Sequence, residues 1–181
     1  MATNLKIGFL GAGKMATALA KGFIRAEIVL PKEMAASARS AATRKFFTDE
    51  TSAKPAATNA DVLKFADVII LGVKPNQTIE VLAEARGHFT KNHLLISIAA
   101  GVTISKMENL LPAGTRVIRV MPNTPALVGE GASAFALGKN ATVADGEIAK
   151  KLLSSVGIAF QVKENLLDAV TGLSGSGPAY V

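Results

Sequence analysis

Ile7-Gly8-Phe9-Leu10-Gly11-Ala12-Gly13-Lys14-Met15-Ala16-Thr17 carries an apolar strand through a Gly-x-Gly-x-x-Ala turn and directly into a helical apolar pattern. A dinucleotide-binding strand–turn–helix requires that order. Gly11 permits the tight turn. Gly13 removes the Cβ that would hold the backbone away from a pyrophosphate, and Ala16 lets helix and strand pack closely. The helix that follows directs its free N–H groups and positive dipole end at the phosphates.

Working outward, apolar strands alternate with amphipathic helices. Residues 5–10 read as the first strand, and Met15, Leu19, Phe23 and Ala26 fall on one helix face. A second strand is expected over 33–37 and a short helix over 41–47, followed by a polar stretch, 49–58, with at most a short strand. Asn59 is placed to cap a helix bearing Val62, Leu63 and Phe65. The continuous run Val68-Ile69-Ile70-Leu71-Gly72-Val73 suits a parallel strand covered on both faces. A helix over 78–85 and a buried strand over 94–99 repeat the pattern. Thr103 or Ser105 then opens a helix that Pro112 stops. Strands over 117–121 and 133–137 are joined by a loop containing Pro and Gly. Thr142 with Asp145 marks a helix start, that helix ends near Gly157, and a last strand covers 159–162. The predicted class is α/β, Rossmann-like and doubly wound, a mostly parallel sheet with helices on both faces.

Composition narrows the function. Apolar residues make up 49% of the 181 and the mean hydropathy is +0.34, ample for a buried core. No apolar run approaches the ~20 residues of a membrane helix, and the first residues lack the pattern of a secretory signal. The absence of cysteine excludes disulfides and thiolate metal sites and fits a reducing compartment. The expectation is a cytoplasmic protein with no metal and no membrane partner. His88 and His93 lie in a polar connection and are expected at the surface. The net charge of +6 is scattered and aromatic residues are few, which argues against nucleic acid and for an anionic cofactor and substrate.

In such a sheet, ligands bind beyond the carboxyl ends of the strands. Small or polar residues stand at those ends: Gly11 to Met15, Ser37-Ala38-Arg39-Ser40, Lys74-Pro75-Asn76, Ala99-Ala100-Gly101 and Pro122-Asn123-Thr124-Pro125. Turn formation alone would account for any one of them. An NAD site usually places a carboxylate after the second strand, whereas here hydroxyls and Arg39 stand there, with Arg44 and Lys45 one turn on. Arginine bonds a 2′-phosphate that a carboxylate would repel, so NADP (NADPH) is favoured, with NAD possible.

Gly11-Ala12-Gly13-Lys14-Met15-Ala16, Val73-Lys74-Pro75, Ala99-Ala100-Gly101-Val102-Thr103-Ile104, the run from Arg116 to Pro125, and Leu173-Ser174-Gly175-Ser176-Gly177-Pro178-Ala179-Tyr180 together resemble the successive motifs of pyrroline-5-carboxylate reductase. The resemblance covers essentially the whole chain. It implies an NAD(P)H-dependent oxidoreductase acting on a CH–NH bond, which reduces 1-pyrroline-5-carboxylate to L-proline in the last step of proline biosynthesis. It also implies roles. Leu10, Gly11, Ala12, Gly13, Lys14 and Met15 would hold the pyrophosphate, and Ser37, Arg39 and Ser40 would face the adenosine ribose. Asn59 would serve the ribose or phosphate region, although helix capping also explains it. Gly72, Val73, Lys74 and Pro75 would line the central cleft, with Ala99 and Ala100 under the nicotinamide half and Asn123 near it. Lys74, Asn123, Ser174 and Ser176 are the substrate-side candidates, and the Ser-Gly-Ser-Gly-Pro stretch equally suits a hinge. No side chain is assigned as a catalyst, because hydride transfer to a cyclic imine asks mainly for positioning.

In the family, the last motif opens a helical C-terminal domain that builds the dimer and completes the substrate pocket. Residues 1–164 are therefore expected to form the NAD(P)-binding domain, and 165–181 the truncated start of the helical one. The full-length protein is expected to be a homo-oligomer through that domain, and the fragment to bind cofactor with doubtful turnover. Two other readings stay open: another NADP-dependent imine or β-hydroxyacid reductase, and a non-catalytic NADP-binding module.

Overall fold

Among the described residues, eight short strands form one sheet: β1 (Ile7–Leu10), β2 (Met34–Ser37), β3 (Lys54–Pro55), β4 (Val68–Leu71), β5 (Leu94–Ser97), β6 (Arg116–Met121), β7 (Gly131–Leu137) and β8 (Gly157–Gln161). This is the computed structural model of the chain, and it describes residues 5–177. The strand order is β3-β2-β1-β4-β5-β6-β7-β8, parallel throughout except where β7 runs against β6. Register aligns Leu10, Ser37, Leu71 and Ser97 in one row, so the first four long strands end together. The chain order reverses between β1 and β4, which opens a crevice at their carboxyl ends.

Strand alternation divides the core in two. Ile7, Phe9, Met34, Ile70, Ile96 and Phe135 face α1 (Lys14–Arg25), α2 (Ala41–Thr51) and α6 (Val143–Leu153). The Phe9 ring packs there against Phe23 and Phe47, at centroid separations of 6.3 and 5.1 Å. Leu10, Ile69, Leu71, Leu95 and Val117 face α3 (Asn59–Phe65), α4 (Thr78–Ala85), α5 (Ile104–Leu110) and α7 (Leu167–Val170). Burial of both faces is why β4 and β5 are apolar at nearly every position.

Several boundaries differ from those expected. Pro31–Glu33 forms a turn of 3₁₀-helix, so the second strand starts at Met34. α2 runs past Phe47 to Thr51, whose hydroxyl donates back to the Phe47 carbonyl at 2.6 Å, and stops where Ser52 turns left-handed at φ 56°. Asn59 is not the cap of α3. Thr58 is, its hydroxyl accepting from the Asp61 N–H at 3.1 Å, and Asn59 is the first helical residue. Thr103, rather than Ser105, caps α5. α6 ends at Leu153, and Gly157 is the first residue of β8 rather than a helix terminus.

His93 corrects the surface reading given to both histidines. It is buried, its Nδ1 accepts from the Thr90 N–H at 2.9 Å, and its Nε2 donates to the Leu63 carbonyl at 2.9 Å. One nitrogen must accept while the other donates, which fixes the neutral Nε2–H tautomer. His88 is exposed, as expected.

Because β7 and β8 run against the first six strands, the chain leaves β8 at the end of the sheet opposite the crevice. Residues 163–175 bring it back across the α5 face. Arg119 on β6, 3% exposed, holds this return path by donating to Glu164 at 3.3 Å and Asp168 at 2.6 Å. The same Glu164 oxygen accepts from the Ile104 N–H at the start of α5 at 2.7 Å. α7 then passes into one π-helical turn, Thr171–Gly175. Pro178, Ala179 and Tyr180 of the last motif, and Val181 after it, lie outside the described residues.

Candidate functional site

A cleft of about 530 Å³ lies over the carboxyl ends of β1, β2 and β4. Its floor is the Gly11-Ala12-Gly13 turn, and Gly72, Val73 and Lys74 form one side. The two glycines of the turn are needed for different reasons. Gly11 has φ +95°, and a Cβ there would stand 2.8 Å from the Val73 nitrogen. Gly13 has ordinary extended backbone, φ −75° and ψ 179°, and a Cβ on it would meet nothing within 4 Å. No protein atom therefore demands glycine at position 13. Its missing side chain leaves open space in the cleft.

α1 starts at that turn, and its N-terminus differs from those of α2, α3, α5 and α6. Each of the four is capped by a Ser or Thr hydroxyl, from Ser40, Thr58, Thr103 and Thr142. α1 begins on Gly13 with no side-chain cap and no acidic residue in its first turn. Its first N–H groups thus face the cleft unpaired by side chains, with the positive end of a 12-residue helix behind them.

The outer end of the cleft has two walls of opposite charge. The loop after β2 and the start of α2 contribute Arg39, Ser40, Thr43 and Arg44. The Arg44 guanidinium is drawn onto the Ala38 carbonyl at 2.5 Å, and Ser40 is occupied in capping, accepting from the Thr43 N–H at 3.0 Å. Among the described residues Arg39 has neither hydrogen bond nor ion pair, which leaves its fork free for an anion. Facing them, α4 with the turn before it presents Gln77, Glu80, Val81 and Glu84. That i, i+3, i+4, i+7 spacing was legible as a helix face, yet nothing in the sequence indicated what it faced.

Of the residues expected at a cofactor, Gly11, Ala12, Gly13, Ser37, Arg39, Ser40, Asn59, Gly72, Val73 and Lys74 line this one cleft. Leu10 is buried beneath it, and Met15 is half-buried against the first core. The Lys14 side chain lies elsewhere, in a hollow of about 240 Å³ with Lys21, Arg25 and Phe46 on the outer side of α1. Pro75, Ala99 and Ala100 are outside the cleft lining. Pro75 opens the turn before α4, and the Ala99 N–H donates to Ser97 Oγ at 3.3 Å. On the substrate side, the Asn123 side chain accepts from the Ala132 N–H at Oδ1 and donates from Nδ2 to Ser174 Oγ, both at 2.9 Å. Ser176 bonds through its backbone N–H to the Thr171 carbonyl at 2.9 Å. The described residues contain no group of three or more His, Cys, Asp or Glu able to hold a metal ion, and no helix long and apolar enough to cross a membrane.

Beside the cleft, the Thr58 hydroxyl donates to Asp61 at 2.7 Å, and this bond above all holds the Asp61 carboxyl below its ordinary value of 3.8. A carboxyl lowered by folding stabilises the fold above its unfolded pKa, and that contribution fades as pH falls through the lowered value. Asp61→Asn should therefore lower the urea midpoint at neutral pH. Its difference from the unaltered chain should close progressively as the pH is taken below 3.8 in the same titration.

Residues 6–101 match the family model described as NADP oxidoreductase coenzyme F420-dependent. The chain is 48% identical over 178 residues to a pyrroline-5-carboxylate reductase of Methanosarcina acetivorans, an alignment covering 98% of this chain and 66% of that one. It superposes on a pyrroline-5-carboxylate reductase of Coxiella burnetii with TM-score 0.92 and 32% identity, over 98% of this chain and 66% of that one. A Plasmodium falciparum pyrroline carboxylate reductase with NADP bound gives TM-score 0.89 and 33% identity, over 99% and 66%. The chain thus spans 66% of the length of each of these relatives.

Proposed function

Because this chain belongs to the NADP oxidoreductase coenzyme F420-dependent family, and within it to the pyrroline-5-carboxylate reductases, we propose that it forms the cofactor-binding part of an enzyme that reduces 1-pyrroline-5-carboxylate to L-proline with NADPH. The observation that carries this reading is the Gly11-Ala12-Gly13 turn, open to the cleft at Gly13 and continuous with an uncapped helix start. Those N–H groups match the acceptors of a pyrophosphate, and Arg39 at the other end matches a 2′-phosphate.

Bound nicotinamide would supply the hydride. The residues of the chain bind, orient and exclude water. Ala12 and Gly13 let the diphosphate lie close to the backbone. Lys74, exposed at the cleft mouth, balances anionic charge on cofactor and substrate. The Asn123–Ser174 pair ties the loop after β6 to the returning C-terminal segment. The Ser174 hydroxyl proton and the Gly177 N–H are the donors proposed for the substrate carboxylate, the Ser176 N–H being held by the Thr171 carbonyl. Assembly of copies through a further helical domain and a cytoplasmic setting belong to the same reading.

The protein carried to the full length of its relatives should oxidise NADPH only when 1-pyrroline-5-carboxylate is present, forming one proline per NADPH consumed. NADPH bound without proline formed would overturn the reductase and leave a non-catalytic NADP-binding module. Turnover of a different imine or a β-hydroxyacid alone would transfer the assignment to another reductase of this fold.

A further inference from the structure

Ser37 and Asn59 meet in the floor of the cleft, 22 residues apart in sequence, with Ser37 Oγ and Asn59 Oδ1 2.6 Å from each other. Two oxygens at that distance need a proton between them, and a carboxamide oxygen carries none. The serine hydroxyl is therefore the donor. The length agrees, since O–H···O bonds cluster near 2.7–2.8 Å, whereas the flipped amide would make an N–H···O contact nearer 2.9–3.0 Å. The competing acceptor, the Phe9 carbonyl, is at 3.4 Å. Ser37 is only 3% exposed and ends β2, so its hydroxyl is fixed by the strand rather than by its own side-chain freedom.

The carboxamide is planar. With its oxygen held on Ser37, its Nδ2 must point away from Ser37, and among the described residues Nδ2 has no acceptor.

We propose that Ser37 is a positioning residue that locks the Asn59 amide. Asn59 then offers only N–H donors to a ribose or phosphate oxygen of the dinucleotide, and Ser37 offers only lone pairs, to a ribose hydroxyl. This rests on the reading that NADPH occupies the cleft. It also separates two roles that the sequence merged. Ser37 has no proton left for a 2′-phosphate. Ser40 Oγ accepts from the Thr43 N–H and Arg44 spends one N–H on the Ala38 carbonyl, whereas Arg39, with neither hydrogen bond nor ion pair among the described residues, has its whole fork to tell a 2′-phosphate from a 2′-hydroxyl.

The test is calorimetric titration of NADPH and NADH into the unaltered chain and into Asn59→Asp, Ser37→Ala and Ser37→Thr, with the unfolding midpoint of each free protein recorded. Asn59→Asp keeps the shape, removes both donors and suits a helix start, so the chain should stay folded. Its NADPH affinity should fall by about 100-fold, the scale of losing charge-assisted donors and placing a carboxylate against phosphate. Ser37→Ala should weaken NADPH about tenfold, and Ser37→Thr, which restores the hydroxyl, should recover most of that loss. A deficit confined to NADPH assigns the partner of Asn59 to the 2′-phosphate, and an equal deficit with NADH to an oxygen shared by both cofactors. NADPH affinity kept in Asn59→Asp would mean that the amide presents its oxygen, and would overturn the lock. So would a Ser37→Ala chain that binds as tightly as the unaltered one. Failure of the unaltered chain to bind NADPH would instead overturn the cofactor reading, and the lock with it.

Discussion

Gly13→Val should abolish measurable NADPH binding without unfolding the protein. The backbone at Gly13 is extended and a Cβ there meets nothing within 4 Å, so the branch point of a valine is accommodated in the free chain. The unfolding midpoint should move by no more than about 2 °C, the range of an uncrowded surface substitution in a domain this size. The isopropyl group would project into the space where the diphosphate approaches the start of α1. Loss of one or two charge-assisted hydrogen bonds amounts to about 3 kcal/mol, a fall in affinity of at least roughly 100-fold. Gly11→Val should behave differently. At φ +95°, with a Cβ 2.9 Å from the Gly72 carbonyl carbon, it strains the turn and parts β1 from the loop after β4. Stability should fall by at least about 2 kcal/mol together with binding. Thermal melting and calorimetry on the two variants check the contrast. Equal melting losses in both would show that Gly13 is a packing residue.

Gly157→Ala should be the most destabilising single methyl in the chain. Gly157 opens β8 at φ +146°, a region that L side chains rarely adopt. Its Cβ would fall inside the van der Waals envelope of the Gly131 carbonyl oxygen and nitrogen. Those are backbone atoms at the start of β7, which cannot rotate away as a side chain could. β7 and β8 would have to separate at their first paired residues, Gly131 and Gly157. Strain and overlap together should cost at least about 3 kcal/mol, lowering the melting temperature by roughly 6–12 °C. Differential scanning calorimetry decides it, and a shift of less than about 2 °C would contradict the close strand pairing at this position.

The comparison between sequence and structure shows which interactions are local enough to read. Apolar runs such as Val68–Leu71 and caps such as Thr142 with Asp145 act within a few residues, and they were legible. Ten of the residues named for a cofactor line one cleft, five of them from the quoted motifs and five, including Ser37, Arg39 and Asn59, from outside them. What escaped depended on distant partners. His93 looks like a surface residue until the Leu63 carbonyl, 30 residues away, accepts a hydrogen bond from its Nε2–H. Ser37 and Asn59 each suggested a polar contact, but only their meeting decides which atom donates. Arg119 stands in the apolar run of β6, and its acidic partners arrive more than 40 residues later. The acidic wall of the cleft was missed because nothing near Glu80 and Glu84 in the sequence says what that face of α4 meets.

The antiparallel seventh strand has a geometric effect beyond the sheet. It makes the polypeptide finish its last strand at the far edge and travel back over Arg119 before Ser174 reaches Asn123. That path is a screw thread, in which each residue turns the chain by about 100° and advances it by about 1.5 Å where it is α-helical. One residue added or removed between Val162 and Leu167 would change the phase as well as the reach of everything above it. The wider π turn at Thr171–Gly175 trims that phase late, just below the point where Gly175 passes the Met121 methyl. Strand polarity at one side of the sheet thus sets the angle at which a distant serine arrives.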